Sequence, residues 1–450
     1  MSQMSCFPST TFRLGLLACA LAAVPAWSMD LRQAYDAALQ NDVTIRASRA
    51  TAEGTRERLP QAEAQRLPSV SANATRNYND LTTQTTNMLG QPVRLQNHYY
   101  SSSQNLTVRQ PLYRPYIGAQ VDQARAQVED ANATLDRDEQ SLVVRVGEAY
   151  FDALLANDQV DLVAAQKAAY ATQLDAARKG LEAGTGTRTD VDDAQARLDM
   201  AQAQELEVRQ NLDFMRRRLE VITGKPFDEL AGLDVQRFKP EPPSLASVQE
   251  WTARAEEASP ELRSLRAQVE AARLEIDKAQ AGHKPTLDAV AQWSRTNSDS
   301  VTSVNTRYDQ KAIGLQLSIP LYSGGYVNST VRQAVANHER AREMLEATRL
   351  DLGVRVHKEF RGMTEGMLRI AALQQAVRSA ELALDSSRKS KEAGSRTMVD
   401  VLNAEQQKTQ AQRDLAQARY LYLVSRLRLQ SLVGEDRWVS IDQANAALSR

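Results

Sequence analysis

Glu182-Ala-Gly-Thr-Gly-Thr-Arg-Thr-Asp190-Val-Asp-Asp-Ala194 and Glu392-Ala-Gly-Ser-Arg-Thr-Met-Val-Asp400-Val-Leu-Asn-Ala404 align without a gap, 210 residues apart (182 to 392). The same offset pairs Val121-Asp-Gln-Ala124 with Val331-Arg-Gln-Ala334, and Val144-Arg-Val146 with Val354-Arg-Val356. Further upstream Gln110-Pro-Leu-Tyr113 matches Ile319-Pro-Leu-Tyr322, and Leu67-Pro-Ser-Val70 matches Lys284-Pro-Thr-Leu287. A repeat of this length must be read before any local element, because it fixes the plan of the whole fold.

Each copy runs helix, strand, strand, very long helix, glycine break, helix. The opening helices are expected at Leu31–Gln65 and Leu245–Ala281, with Ser259-Pro260-Glu261 marking a helical N-terminus in the second. Strand periodicity follows. Val70, Ala72 and Ala74 alternate with small polar residues, as do Leu106, Val108 and Leu112. In the second copy Leu287, Ala289, Ala291 and Trp293 share one face, and Ile313, Leu315, Leu317, Ile319 and Leu321 another. The Thr-, Ser-, Asn- and Gln-rich stretches Asn79–Asn97 and Asn297–Asp309 are expected to be solvent-facing loops. After each Pro-Leu-Tyr no proline interrupts a long apolar seam. Val121, Ala124, Val128, Ala131, Leu135, Leu142 and onward to Ala177 and Leu181 fall three or four residues apart, or at multiples of that spacing. At ~1.5 Å per residue, Tyr116–Leu181 reaches about 100 Å. No globular domain needs such a helix.

The resulting division is a leader at 1–28, a first repeat at 29–223, a proline-rich connector at 224–247, a second repeat at 248–432 and a tail at 433–450. The leader carries Arg13, an apolar run Leu14–Ala23, and Ala26-Trp27-Ser28 as a small-x-small cleavage site. It reads as a signal peptide cut after Ser28; a short buried helix and a lipidated Cys19 are the alternatives. Cys6 and Cys19 are the chain's two cysteines, so cleavage after Ser28 leaves none for disulfides or thiolate metal sites. The net charge of −1 supplies no basic field for nucleic acid.

Four strands with one apolar face cannot close a membrane barrel, which takes at least about eight. Their edges must be completed by other chains, and three copies give twelve strands. Tyr113, Tyr116, Trp293, Tyr322 and Tyr326, with Tyr99 and Tyr100, lie in or beside the strands where an interfacial aromatic girdle belongs. Ordinary strand and turn aromatics are the other reading.

The duplicated plan, Pro320-Leu-Tyr-Ser-Gly-Gly325 opening a long helix, and Ala393–Ala404 together resemble the TolC family of outer-membrane export ducts. The resemblance implies a mainly α fold with a transmembrane β-barrel. Its form is a homotrimer with a twelve-stranded barrel and a coiled-coil tunnel across the periplasm. It further implies a periplasmic membrane-fusion adaptor, an inner-membrane ABC or proton-driven transporter, outer-membrane lipid around the barrel, and no catalysis or cofactor. Cargo is protein or small toxic compounds, with protein secretion slightly favoured. A soluble periplasmic scaffold or adaptor is the rival reading.

Gly184, Thr185 and Gly186, and Gly394 and Ser395, break the helices at the expected periplasmic tips, which by resemblance dock the adaptor. Glycine also ends helices with no such role. Asp190 and Asp400 each fit a capping box after Thr187 and Thr397. The resemblance adds a second role, in which Asp400 contributes three carboxylates to the tunnel's narrowest ring, favouring cations and raising some of their pKa values. Asn403 stands where the family often has a further acid. Arg188 and Arg396 are candidates for pairs that hold neighbouring coils shut, and Lys391 replaces a common aromatic partner. His98, His283, His338 and His357 show no metal-ligand spacing.

Overall fold

The computed structural model describes residues 28–300 and 303–449. The signal-peptide reading, apart from Ser28, and Cys19 lie outside the described residues. The chain begins with α1 (Leu31–Asn41), α2 (Val43–Arg56) and α3 (Arg58–Ala64), then β1 (Ser69–Thr86) and β2 (Pro92–Tyr113). Next come the 68-residue α4 (Pro115–Glu182) and α5 (Arg188–Thr223). The second copy supplies α6 (Val248–Ala258), α7 (Pro260–Gln280), β3 (Thr286–Ser300), β4 (Ser303–Ser318), the 67-residue α8 (Tyr326–Glu392) and α9 (Met398–Leu432). A last helix, α10 (Arg437–Asn445), lies in the tail, where no helix was anticipated. Its N-cap Asp436 accepts from the backbone N–H of Trp438 and Val439.

The opening segments are broken helices rather than the single ones expected. Asp42 is extended (φ −61°, ψ 120°) and its carboxylate accepts from the N–H of Ile45, ending α1 and starting α2 at one residue. Ser259 (ψ 124°) is forced out of the helical region by Pro260, which then occupies the first turn of α7.

The main core is a waist halfway along α4. Tyr35, Leu142, Tyr150, Phe151, Leu219, Trp251, Leu262 and Tyr422 are buried there. Tyr150 Oη contacts the carbonyls of Met29 and Ala231 at 3.0 and 2.9 Å. Tyr422 Oη donates to the Glu241 carbonyl at 2.6 Å and accepts from its N–H at 3.0 Å, pinning the proline-rich connector. The connector also bridges Met29 through Leu230 and the tail through Leu233 and Leu448. Both termini of the described chain therefore meet the middle of the sequence in one belt.

The strands form one antiparallel sheet in the order β1-β2-β3-β4, leaving β1 and β4 as unpaired edges within the chain. Val70, Val108, Ala291 and Ile313 are in one cross-strand row, and Ala72, Leu106, Trp293 and Lys311 in the next on the same face. Val70, Leu106, Ile313, Leu315 and Leu317 are exposed there. The other face carries rows such as Asn73, Asn105, Ser294 and Gln310. Apolar outside and polar inside is the pattern of a strand between lipid and water.

The expected loops Asn79–Asn97 and Asn297–Asp309 are mostly strand instead. Asn79 pairs with Tyr99, and the ladder runs unbroken to Thr86 opposite Pro92, closed by a turn with Gly90 at φ 77°. Asn297 pairs with Arg307 likewise. Both faces of these extensions are wet, so no alternation was demanded, and threonine's strand preference carried the ladder on.

Candidate functional site: paired hairpin tips

Each long helix ends in the same device. At the first tip Gly184 (φ 74°) donates to the Leu181 carbonyl at 3.0 Å, and Thr185 to the Gly180 carbonyl at 2.9 Å. At the second, Gly394 (φ 74°) donates to Lys391 at 2.9 Å and Ser395 to Ser390 at 2.9 Å. This double closure satisfies the last helical carbonyls and requires a left-handed residue at its centre.

The next helix then starts on a reciprocal cap. Thr187 Oγ1 accepts from Asp190 N–H while the Asp190 carboxylate accepts from the Thr187 N–H at 3.1 Å. Thr397 and Asp400 repeat this, with the Thr397 N–H at 2.9 Å and its hydroxyl at 2.8 Å from Asp400 Oδ2. Those two donors, backbone N–H first, hold the Asp400 carboxyl below its ordinary range. The capping reading of both acids is thus realised, and Asp400 remains exposed to solvent.

The structure places the other expected residues as follows. Arg396 donates to Ser387 Oγ of its own hairpin at 2.6 Å, and Arg188 lies 3.9 Å from Asp192 on its own helix. Among the described residues neither of these contacts spans the two hairpins. Lys391 is half-buried with Nζ 3.2 Å from Met398 Sδ. Burial lowers its pKa, opposed by the charges of Asp190 on the first hairpin and Glu392. Asn403 does span the hairpins. Arg197 on α5 donates to Asn403 Oδ1 at 3.0 Å and to Gln406 Oε1 at 2.6 Å on α9.

Met398 and Leu402 insert beside Tyr170, Leu174, Ala177, Ala194 and Ala201, so the two hairpins share a small apolar core just above the tips. Each hairpin is also clamped by a buried glutamate between two cations. Glu205 on α5 meets Lys167 on α4 and Arg209 at 2.6 Å. Glu405 on α9 meets Arg388 on α8 at 2.8 Å and Lys408 at 2.9 Å. Arg197 and these two glutamates were not singled out from sequence. Arg197 and Asn403 are 206 residues apart, and no local pattern announces such a pair.

Of the expected girdle, Tyr113 ends β2, Tyr116 and Tyr326 lie in the first turns of α4 and α8, and Tyr322 is exposed between β4 and α8. Trp293 sits at the opposite end of the apolar face, its indole N–H donating to Asp309 Oδ1 at 2.9 Å. No helix among the described residues is long and apolar enough to cross a membrane, and no cluster among them has the makings of a metal site.

A sheet with an apolar outer face and open edges, carried on ~100 Å helical hairpins with matched tips, defines a membrane-seated channel built from several copies. The chain belongs to the outer membrane efflux protein family, whose family model matches residues 34–225 and 251–435. It is 35% identical over 413 residues to alkaline protease secretion protein AprF of Pseudomonas aeruginosa, spanning 91% of this chain and 85% of that protein. It is 31% identical over 435 residues to outer membrane protein TolC of Escherichia coli, covering 94% and 85%. The crystal structure of the outer membrane protein VceC from Vibrio cholerae superposes with a TM-score of 0.75 at 20% identity, over 90% of this chain and 96% of that one. The protein is thus an outer-membrane exit duct, each chain giving four strands to the membrane-seated sheet and its long hairpins to a periplasmic helical tunnel. The family is one of channels rather than enzymes, and the soluble-scaffold rival is set aside.

Proposed function

We propose that this duct serves type I protein secretion, passing a polypeptide handed over by an ABC transporter, in preference to small toxic compounds. The observation that carries this reading is the 35% identity, across most of both chains, to a protein named for alkaline protease secretion. The test is to delete the gene and compare the culture supernatant and drug susceptibility with the parent strain. Loss of one or more secreted proteins with unchanged susceptibility is expected. Intact secretion with increased susceptibility would assign the duct to efflux.

In this reading the two tips, Gly184–Gly186 and Gly394–Ser395, receive the adaptor. Asp400 forms a ring of three carboxylates at the constriction, with Asn403 one turn above it diluting the acidity. Arg188, Arg396, Asp190 and Lys391 adjust how neighbouring coils close. Tyr113, Tyr116, Tyr322 and Tyr326 mark the inner interface and Trp293 the outer. The segments 29–223 and 248–432 act as two equivalent staves, joined by 224–247 and braced by 433–450. Asp400→Ala should reduce cation selectivity of the channel in a planar bilayer while the trimer still assembles. Unchanged selectivity would remove Asp400 from the constriction.

A further inference from the structure

We propose that the outward face of the barrel carries a collar for phosphorylated lipid headgroups of the outer leaflet, formed by Lys311, Arg76 and Arg307 around a fixed Trp293–Arg295–Asp309 unit. The proposal rests on the outer-membrane placement of the sheet and adds to it a ligand class and named residues.

The register supplies the geometry. On the apolar face, the last row with lipid-compatible side chains is Ala72, Leu106 and Trp293, and Lys311 closes that row. Two residues further along each strand, the same face presents Ala74, Gln104, Arg295 and Asp309. Two further still it presents Arg76, Ser102, Asn297 and Arg307. At ~3.3 Å per residue, the cations stand at about 0, 7 and 13 Å beyond the end of the apolar band, less the strand tilt. With the strand tilt, that range starts at the hydrocarbon edge and spans the interfacial layer, about 5–8 Å thick on each side, where headgroup phosphates lie.

The middle of the collar is built rather than loose. Trp293 Nε1 donates to Asp309 Oδ1 at 2.9 Å, Arg295 Nη2 donates to Asp309 Oδ2 at 2.8 Å, and the Arg295 guanidinium lies 5.4 Å from the Trp293 ring centroid. Asp309 therefore balances Arg295, and the charge the collar offers comes from the other three cations. The Arg76 Cζ lies over the Tyr100 ring, 5.1 Å from its centroid, and Tyr100 leans on Tyr78 at 5.3 Å, which keeps the guanidinium against the outer face. Guanidinium and ammonium groups at the edge of an apolar band pair with phosphate oxygens, while the tryptophan anchors the depth. The lumen face at the same height carries Asn73, Asn105, Ser294 and Gln310, so the cationic rows belong to the lipid side. Three protomers give three such collars.

The test uses the full-length trimer in detergent and three probes. These are a bisphosphorylated glucosamine-disaccharide glycolipid, the same glycolipid without phosphates, and inorganic phosphate. Native mass spectrometry should show the phosphorylated lipid retained at least about tenfold better than the dephosphorylated one, at about fivefold per cation near the surface. That preference should weaken as salt is raised. The variant combining Lys311→Gln, Arg76→Gln and Arg307→Gln should lose the preference while remaining trimeric, and Lys311→Gln alone should lose part of it. Equal retention of both glycolipids, or an unaltered preference in the triple variant, overturns the collar. So does displacement of the lipid by inorganic phosphate at equal concentration, which would make it a free-anion site. A particle that is not trimeric in the outer-membrane fraction would instead sink the placement of the sheet, and the collar with it.

Discussion

Asp42 joins three parts of the waist with one carboxylate. It caps α2 through the Ile45 N–H at 3.0 Å, accepts the Thr44 hydroxyl, and takes Arg145 of α4 through Nη1 and Nη2, each at 3.2 Å. Burial pushes its pKa up, but the hydrogen bonds from Thr44 and Ile45 and the Arg145 guanidinium outweigh it, and the net shift is downward. A depressed carboxyl stabilises the fold above its unfolded pKa of about 3.9, and that contribution is lost as pH falls through the lower folded value. Asp42→Ala should therefore cost about 2 kcal/mol at neutral pH. Thermal unfolding followed by circular dichroism should show the gap between wild type and variant closing as pH is taken from about 5 down to 2. A pH-independent gap would mean the loss is one of packing alone.

Arg197 is the residue-scale counterpart at the tips. It lies on a wet surface, so Arg197→Ala should change stability by no more than about 1 kcal/mol. Its removal releases Asn403 and Gln406 from the first hairpin, and single-channel conductance in planar bilayers should rise. Conductance equal to wild type would assign the closure to the shared apolar core around Met398 and Leu402 instead.

Among the elements, the tips carry the sharpest contrast. Gly394 has φ 74° with open space where a Cβ would go, so Gly394→Ala meets only backbone strain of about 1 kcal/mol. Gly394→Pro cannot adopt that φ and also deletes the N–H that donates to Lys391. Export measured in the supernatant should survive the alanine and fall sharply with the proline, with the trimer intact in both. Normal export by the proline variant would argue against this turn as a docking element. The tips and long helices were legible because glycine, threonine and acid at fixed offsets, repeated 210 residues apart, encode local hydrogen bonds that need no distant partner. The strand extensions beyond Asn79 and Asn297 were not, because a ladder wet on both faces leaves no hydrophobic period. Nor were the glutamate clamps, since Glu205 and Glu405 sit 21 and 11 residues past their tip glycines and break the repeat.

The whole molecule is decided by which surfaces the chain leaves open. Over their lengths α5 packs mainly on α4, α4 on α9 and α9 on α8, with α5 reaching α9 only through a few contacts such as Arg197 to Asn403, so α5 and α8 are the ends of a row that must close into a tunnel. Their exposed apolar residues are distributed accordingly. α5 shows Met200, Leu206, Phe214 and Val221, and α8 shows Leu382, Leu368 and Val354. Measured from each tip glycine at ~1.5 Å per residue, the α8 residues stand at about 18, 39 and 60 Å and the α5 residues at about 24, 33, 45 and 56 Å. These heights predict that the two sets interleave as knobs into gaps where α5 of one protomer meets α8 of the next. Residues 28–450 contain no cysteine, so an introduced pair has no competing thiol there. In a protein carrying Phe214→Cys and Leu368→Cys, oxidation should produce a covalent trimer on a denaturing gel, because each chain links to the next around the ring. Either substitution alone should leave monomers. A double variant that oxidises only within one chain would show that these edges face each other inside a protomer, and the order of staves around the tunnel would have to be redrawn.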